Sequence, residues 1–224
     1  MDLNTKSVLI HHHLGLGDHI VCNAIVRKLH KKYKKIKLAV KHHNLSSVKQ
    51  LYRDIDVELC PVNSDYDCEK MYKNNKFIRI GFENCKLPNW EKSFYEQMNI
   101  DYSYRFSHFF IERDYERENL LEKKLELTDK FSFHNNSYSG GKIEINSISS
   151  LHKIFLSPIT DSIFDWIGVL EKAKEIHTID TSIFQLIKQL DLKRDKYFYN
   201  SQLLDDTRTA FNFDNQSWKV INLK

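Results

Sequence analysis

Ser7-Val8-Leu9-Ile10-His11-His12-His13-Leu14-Gly15-Leu16-Gly17-Asp18-His19 begins β-branched and apolar and ends in two glycines and an acid. A buried first strand of an α/β unit leaves its sheet in this way. From His19 the period changes. Val21, Ala24, Ile25 and Leu29 are spaced by three and four, so they form one face of a helix running to about Tyr33. Its last turn and exit, Lys31-Lys32-Tyr33-Lys34-Lys35, put cations where the helix dipole is negative. Ile36 to Val40 then reads as a second strand, Ser46 to Arg53 as a second helix, Asp56 to Cys60 as a third strand and Phe77 to Ile80 as a fourth. Strand and helix alternating through short connections predict an α/β fold with a parallel sheet.

Past Phe82 the pattern is less regular. Pro88-Asn89-Trp90 marks a loop, and Glu91 to Asn99 suits a short helix. Glu112 to Leu127 is rich in Glu, Lys, Arg and Leu without Gly or Pro, as expected of an exposed helix with a solvated charged face that carries the chain between two domains. A second series follows. Phe131 to His134 alternates like a strand and empties into the polar loop from Asn135 to Gly141. Lys153 to Leu156 is a strand stopped by Pro158. Ile163, Trp166, Ile167 and Leu170 form a helix stripe, with Ser162 and Asp165 placed as a capping box. Ile176 to Ile179 is a strand ending in Asp180-Thr181-Ser182, and Ile183, Leu186, Ile187 and Leu190 are the apolar face of the next helix.

With 224 residues, 41% hydrophobic and 29% charged, the composition is that of a globular chain able to bury a core. No apolar run reaches the length of a membrane span. The first residues lack the basic-then-apolar pattern of a leader, so the protein is expected in the cytosol. Cys22, Cys60, Cys68 and Cys85 are never spaced as C-x-x-C and read as buried thiols. The net charge of +4 is uneven, since Met1 to Cys60 hold 11 Lys and Arg against 5 Asp and Glu. The basic run from Lys28 to Lys37 has no nucleic-acid-binding signature beside it, so no nucleic-acid partner is expected. A weak contact with an anionic membrane surface is.

Ligands of open α/β sheets bind at the carboxyl ends of strands. Two stretches have that placement. In Gly15-Leu16-Gly17-Asp18-His19 the glycines allow close backbone approach and the acid stands at a helix start, though capping alone also accounts for Asp18. The stretch lacks the Lys-Ser/Thr of a Walker loop and the third glycine of a dinucleotide fingerprint. In Asp180-Thr181-Ser182, hydroxyls and helix-start N–H groups suit a phosphate and the acid suits a sugar hydroxyl; capping again remains open. Seven of the eleven histidines fall in the first 43 residues. Neighbouring residues of a strand point to opposite faces, so His11, His12 and His13 cannot share one metal ion.

The stretch from Leu14 to Arg27 resembles the N-terminal loop and helix of the heptosyltransferase-like glycosyltransferases, family nine. Lys172 to Ser182 looks like that family's C-terminal nucleotide-binding motif. The resemblance implies two Rossmann-like domains facing across a cleft, the GT-B architecture in a compact version. Residues 1–120 would form the acceptor-side domain and 121–224 the nucleotide-sugar-binding domain. It implies an inverting glycosyltransferase, of hexosyl- or heptosyltransferase type, that moves a sugar from a nucleotide-diphosphate donor to a hydroxyl of a glycan or glycolipid. A non-catalytic relative that binds nucleotide or glycan is the alternative.

By the same resemblance Asp18 matches the catalytic base, with Gly15, Gly17, His13 and His19 on the acceptor side. Asp180 would contact the donor sugar, and Thr181 and Ser182 would hold the diphosphate. Pro158 and Ile159 would hold the base. His134, Asn135 and Asn136 would face the donor, with Lys142 as a phosphate cation. No cofactor and no metal are implied. The family motif continues from Asp-Thr with a glycine and then a histidine, where this chain has Ser182 and Gln185.

Overall fold

The computed structural model describes residues 7–200 and 216–223. The chain divides into two units, Met1–Glu112 and Arg113–Lys224. Each is built on a parallel sheet.

In the first unit β1 (Ser7–His12) is followed by α1 (Leu16–Val21) and α2 (Asn23–His30), then β2 (Lys35–Lys41), α3 (Leu45–Leu51), β3 (Val57–Val62), α4 (Asp65–Lys70), β4 (Phe77–Ile80), α5 (Trp90–Gln97) and α6 (Tyr104–Ser107). The sheet order is β3-β2-β1-β4, every pair parallel, with Leu9 opposite Lys37 on one side and Phe77 on the other. Val8, Leu9 and Ile10 are fully buried, as a central strand covered on both faces requires.

The single helix expected from His19 to Tyr33 is instead α1 and α2, broken at Cys22. The cause is α5: the Tyr95 hydroxyl donates to the Val21 carbonyl at 2.7 Å, taking that acceptor out of the helical ladder. Within α2 the stripe behaves as expected, with Ala24, Ile25 and Leu29 buried. Arg27, on another side, grips both oxygens of Asp54.

The second unit holds α7 (Tyr115–Lys124), β5 (Phe131–Asn135), a hairpin of β6 (Ser137–Tyr138) and β7 (Gly141–Lys142), β8 (His152–Phe155), α8 (Ile167–Lys172), β9 (Glu175–Thr178), α9 (Ser182–Gln189), β10 (Asp195–Asn200) and β11 (Lys219–Asn222). Its main sheet runs β11-β10-β9-β5-β8, all parallel. The polar stretch after Asn135 is the β6–β7 hairpin, with Gly141 at φ +138 in the left-handed region. The crossover from there to β8 holds no helix; it lays Ile143 and Ile145 on Tyr197, Tyr199 and Ile179.

The charges of α7 are only in part a solvated face: Glu116, Lys123 and Lys124 are exposed, whereas Arg117, Glu118 and Glu122 are paired. Arg117 clamps Asp165 through two bonds of 2.8 and 2.7 Å and also holds Asp161. Arg113 joins Glu118 to Glu171, and Lys172 reaches Glu122. Gly168 allows this approach, since a Cβ there would lie 2.6 Å from Glu122 Oε1. The capping box at Ser162 is therefore half formed: Ser162 Oγ accepts from the Phe164 N–H, while Asp165 is turned to Arg117.

Across the second sheet runs a row of rings in register. His134 stacks on His177 at 4.4 Å, His177 on Tyr197 at 4.4 Å, and Phe155 and Lys219 stand at the two ends. His134 and His177 are fully buried. In the first unit His11, His12 and His19 are buried as well. Burial disfavours their charged forms: His12 falls to about 4, His134 to about 3, and His11, His19 and His177 also fall.

Two stability measurements follow. Arg117→Met leaves the wholly buried Asp165 carboxylate without its main partner and should cost roughly 2–4 kcal/mol in denaturant unfolding, less than a fully buried pair because the guanidinium is part-exposed. Loss of the exposed Asp161 carboxylate in Asp161→Ala should cost under about 1 kcal/mol. The buried imidazoles set the pH response. Their folded-state pKa values lie below the unfolded value, so their contribution is complete above about pH 6.5 and is lost as pH falls towards the folded values. The melting temperature should drop steadily from pH 7 to pH 4, and His134→Phe, which keeps the stack, should flatten that slope.

Candidate functional site

Because every strand of each main sheet runs the same way, all its strand exits lie on one edge, where loops meet helix N-termini. In the first unit that edge carries His13 to Asp18. Gly15 is the N-cap residue of α1 and Asp18 is its third helical residue. The Asp18 carboxylate folds back over Gly15: a Cβ on Gly15 would lie 2.5 Å from Asp18 Oδ2. Gly15 is thus the space in which the carboxylate sits. Gly17 and Asp18 are half-buried and Gly15 is exposed, so the acid is reachable from solvent.

Neighbouring strands fasten this loop. Asn44, after β2, donates to the Leu14 carbonyl at 3.1 Å. His13 Nε2 accepts the Phe82 N–H at 2.7 Å, and its ring packs edge-on to Phe82 and Phe94. That contact requires Gly81, which has φ +92 and whose Cβ would lie 2.8 Å from Phe94 and 3.0 Å from His13. Gln97 completes the turn, accepting from the Gly81 N–H and donating to Asn84.

His19 does not face this edge. Its ring is fully buried against His12, 4.4 Å between centroids, and neither ring nitrogen has a hydrogen-bond partner among the described residues. Helical rotation from Asp18 turns the next side chain inward. His11 is held by Asp65 and Tyr72, and His12 donates to the His13 carbonyl, so the three consecutive histidines do separate work.

In the second unit the edge is formed by the exits of β5, β8 and β9. Asn135 Nδ2 donates to Thr181 Oγ1 at 2.8 Å and lies 3.4 Å from Thr178 Oγ1, while its Oδ1 accepts from the Ser137 N–H. Thr181 is the N-cap residue of α9; its side chain makes no capping bond, and its hydroxyl accepts from Asn135. Ser182 begins the helix, and Asp180 precedes the cap; both are half-buried.

Pro158 and Ile159 follow β8 on the same edge, and Lys142 is exposed on the hairpin opposite Ser137. Asn136 is half-buried at the hairpin base, where its carbonyl accepts from Ile143. His134 lies lower, inside the sheet, where it shares a hydrogen bond with Ser132 and stacks on His177. Its position in the strand, one residue before the exit, turns it into the ring row rather than to the loop. Gln185 is buried inside α9.

The chain contains two Asp-x-Asp triplets, Asp54-Ile55-Asp56 and Asp65-Tyr66-Asp67, both in the first unit. Asp54 is bound by Arg27, Asp65 by His11 and Asp67 by Lys70. Among the described residues no group of three or more His, Cys, Asp or Glu is arranged to hold a metal ion. Cys22, Cys60 and Cys68 are buried and Cys85 is half-buried. Burial pushes the Cys68 thiol up to about 12, so it is not poised for reaction.

No family model matches the sequence, and no curated protein matches it. Solved structures share its fold. A family 9 glycosyl transferase from Veillonella parvula DSM 2008 aligns over all of this chain and 87% of its own, with a TM-score of 0.55 at 11% identity. ADP-heptose LPS heptosyltransferase II of E. coli aligns over 98% of this chain and 91% of its own, with a TM-score of 0.52 at 8% identity. The iron-containing dodecameric glycosyltransferase TibC of enterotoxigenic E. coli H10407 aligns over 89% of this chain and 59% of its own, at 0.53 and 10%. At these identities the likeness is one of fold, and the fold is the expected α/β architecture of GT-B glycosyltransferases with Rossmann-like units.

The glycine at the β4 exit gives a direct check on the first-unit edge. Gly81→Ala must adopt a left-handed backbone and displace Phe94 or His13, so it should destabilise the protein by about 1–3 kcal/mol in a urea melt. An unchanged midpoint would mean that the His13–Phe82 contact does not hold this loop.

Proposed function

We propose that the protein is an inverting glycosyltransferase that uses a nucleotide-diphosphate sugar and an acceptor hydroxyl on a glycan or glycolipid. One observation carries this reading. The two units of a fold shared with glycosyltransferases, each built on a parallel sheet, both present a strand-exit loop with a half-buried acid at a helix start.

Asp18 is the general base. As the acceptor oxygen bonds to the anomeric carbon, its proton passes to the Asp18 carboxylate, the carbon–phosphate-oxygen bond breaks on the opposite side, and the nucleoside diphosphate departs with inversion. Gly15 leaves the Asp18 carboxylate its place at the exposed loop where the acceptor approaches, with Gly17 next to it, and His13 holds the wall beside it. The donor sits in the second unit. Asp180 bonds the sugar hydroxyls, Thr181 and Ser182 with the α9 N–H groups take the diphosphate, and Lys142 adds a positive charge. Pro158, Ile159 and Asn136 border the nucleotide. Asn135 is a positioning residue, since it sets the Thr181 hydroxyl. Helix N–H groups and Lys142 can offset the leaving diphosphate's charge, and the reading needs no divalent metal.

A well-placed general base is worth roughly 10²–10⁴ in rate. Asp18→Asn keeps the shape and loses the basicity, so turnover of nucleotide sugar should fall at least ~100-fold while donor affinity changes little. Near wild-type transfer by this variant would make Asp18 a structural residue and send the search for the base elsewhere.

A further inference from the structure

Helix α2 ends in a run of lysines, and the fold determines what stands beside them. Lys31, Lys32 and Lys34 are exposed. Asp54 is held by Arg27 and Glu58 by Lys35, and among the described residues Lys31, Lys32 and Lys34 form no ion pair. Lys76, before β4, extends the positive field, with its Nζ 5.4 Å from the centre of the Tyr33 ring.

Lys28 joins this field to an aromatic segment. Its Nζ lies 4.7 Å from the Tyr104 ring centre, where α6 packs on α2. In that segment Phe106 is 37% exposed and Phe110 is 50% exposed. Phe110 is not a loose tail: its N–H donates to Asn23 Oδ1 of α2. A lone exposed aromatic or a solvated helix-end lysine is ordinary. Unpaired cations beside two anchored, exposed phenyl rings are the combination found where proteins lie on membranes.

We propose that this face of the first unit is a docking surface for an anionic lipid bilayer. Lys28, Lys31, Lys32 and Lys34 meet headgroup phosphates, and Phe106 and Phe110 enter the interface. Phosphate-bearing lipid fits better than nucleic acid because the aromatic faces nearest the lysines are occupied. Tyr104 stacks on His108 at 3.5 Å, and Arg27 lies 5.0 Å from the centre of the Phe110 ring, which leaves little open ring for a base to stack on. The proposal does not depend on the catalytic reading, since it concerns binding alone.

The test is co-sedimentation of the full chain with phosphatidylcholine vesicles, with and without phosphatidylglycerol, at low and high salt. Binding should require phosphatidylglycerol and weaken with salt. Lys31→Glu/Lys32→Glu/Lys34→Glu should reduce partitioning at least about tenfold, and the single Lys32→Glu variant should reduce it measurably. Phe106→Ser and Phe110→Ser should each lower the fraction that survives high salt. Lys123→Glu/Lys124→Glu on α7, in the other unit, changes the charge by twice as much as the single Lys32→Glu and should still bind like the wild type. Equal binding to pure phosphatidylcholine would overturn the proposal, as would an equal loss in the α7 variant, or capture of a single-stranded RNA homopolymer without capture of vesicles.

Discussion

Parallel strand pairing is the constraint on which the rest of this structure depends. A parallel strand must be reached by a crossover, so each unit spends its helices covering the sheet and delivers all strand exits to one edge. The chemistry-bearing loops stand on that edge because nowhere else do backbone N–H groups at helix starts remain available. β1 lies between β2 and β4, so its exit loop has neighbours on both sides; Asn44 secures it from one and the Gly81–Phe82 turn from the other. β5 lies between β8 and β9, and Asn135 at its exit reaches the N-cap of α9. β1 thus carries one half of the proposed chemistry, and β9, with β5 beside it, the other.

Side-chain hydrogen bonds turn these edges into defined geometry. The Asn135 amide fixes the Thr181 hydroxyl, which makes no capping bond to α9. Gly15 does the equivalent for Asp18 by lacking a side chain. Below these edges the histidines serve packing. His134 and His177 form part of a stacked row across the second sheet, and His12 and His19 meet inside the first unit. Neutral imidazoles tolerate such burial near pH 7, at the cost of acid sensitivity.

Much of this was legible in the sequence where the period was clear. β1, β2, β4, α9 and the two acid-bearing loops were readable because apolar spacing and glycines mark them. β10 escaped notice since Tyr197-Phe198-Tyr199 is buried on both faces and shows no alternation. The break at Cys22 depends on Tyr95, which is far away in the chain. The charges of α7 look solvated in isolation, and only Asp165 and Lys172, some fifty residues on, show that Arg117 and Glu122 are paired while Lys123 and Lys124 stay exposed. The strand runs one residue past the expected end, to Asn135, so His134 stands inside the sheet rather than in the loop. The roles of Asn135 and Gly81 are tertiary contacts that no local pattern announces.

The central claim is that the start of α9 takes a diphosphate. Calorimetric titration of the full chain with adenosine, guanosine, uridine and cytidine diphosphates in excess chelator tests it most directly, on the wild type, Ser182→Pro and Asn135→Leu. Proline is tolerated at a first helical position, so Ser182→Pro removes one N–H donor without unfolding α9. The account predicts saturable, metal-independent binding of at least one nucleotide, weakened in both variants. Binding that appears only with magnesium or manganese, that is equal in all three proteins, or that is absent for every nucleotide would contradict it.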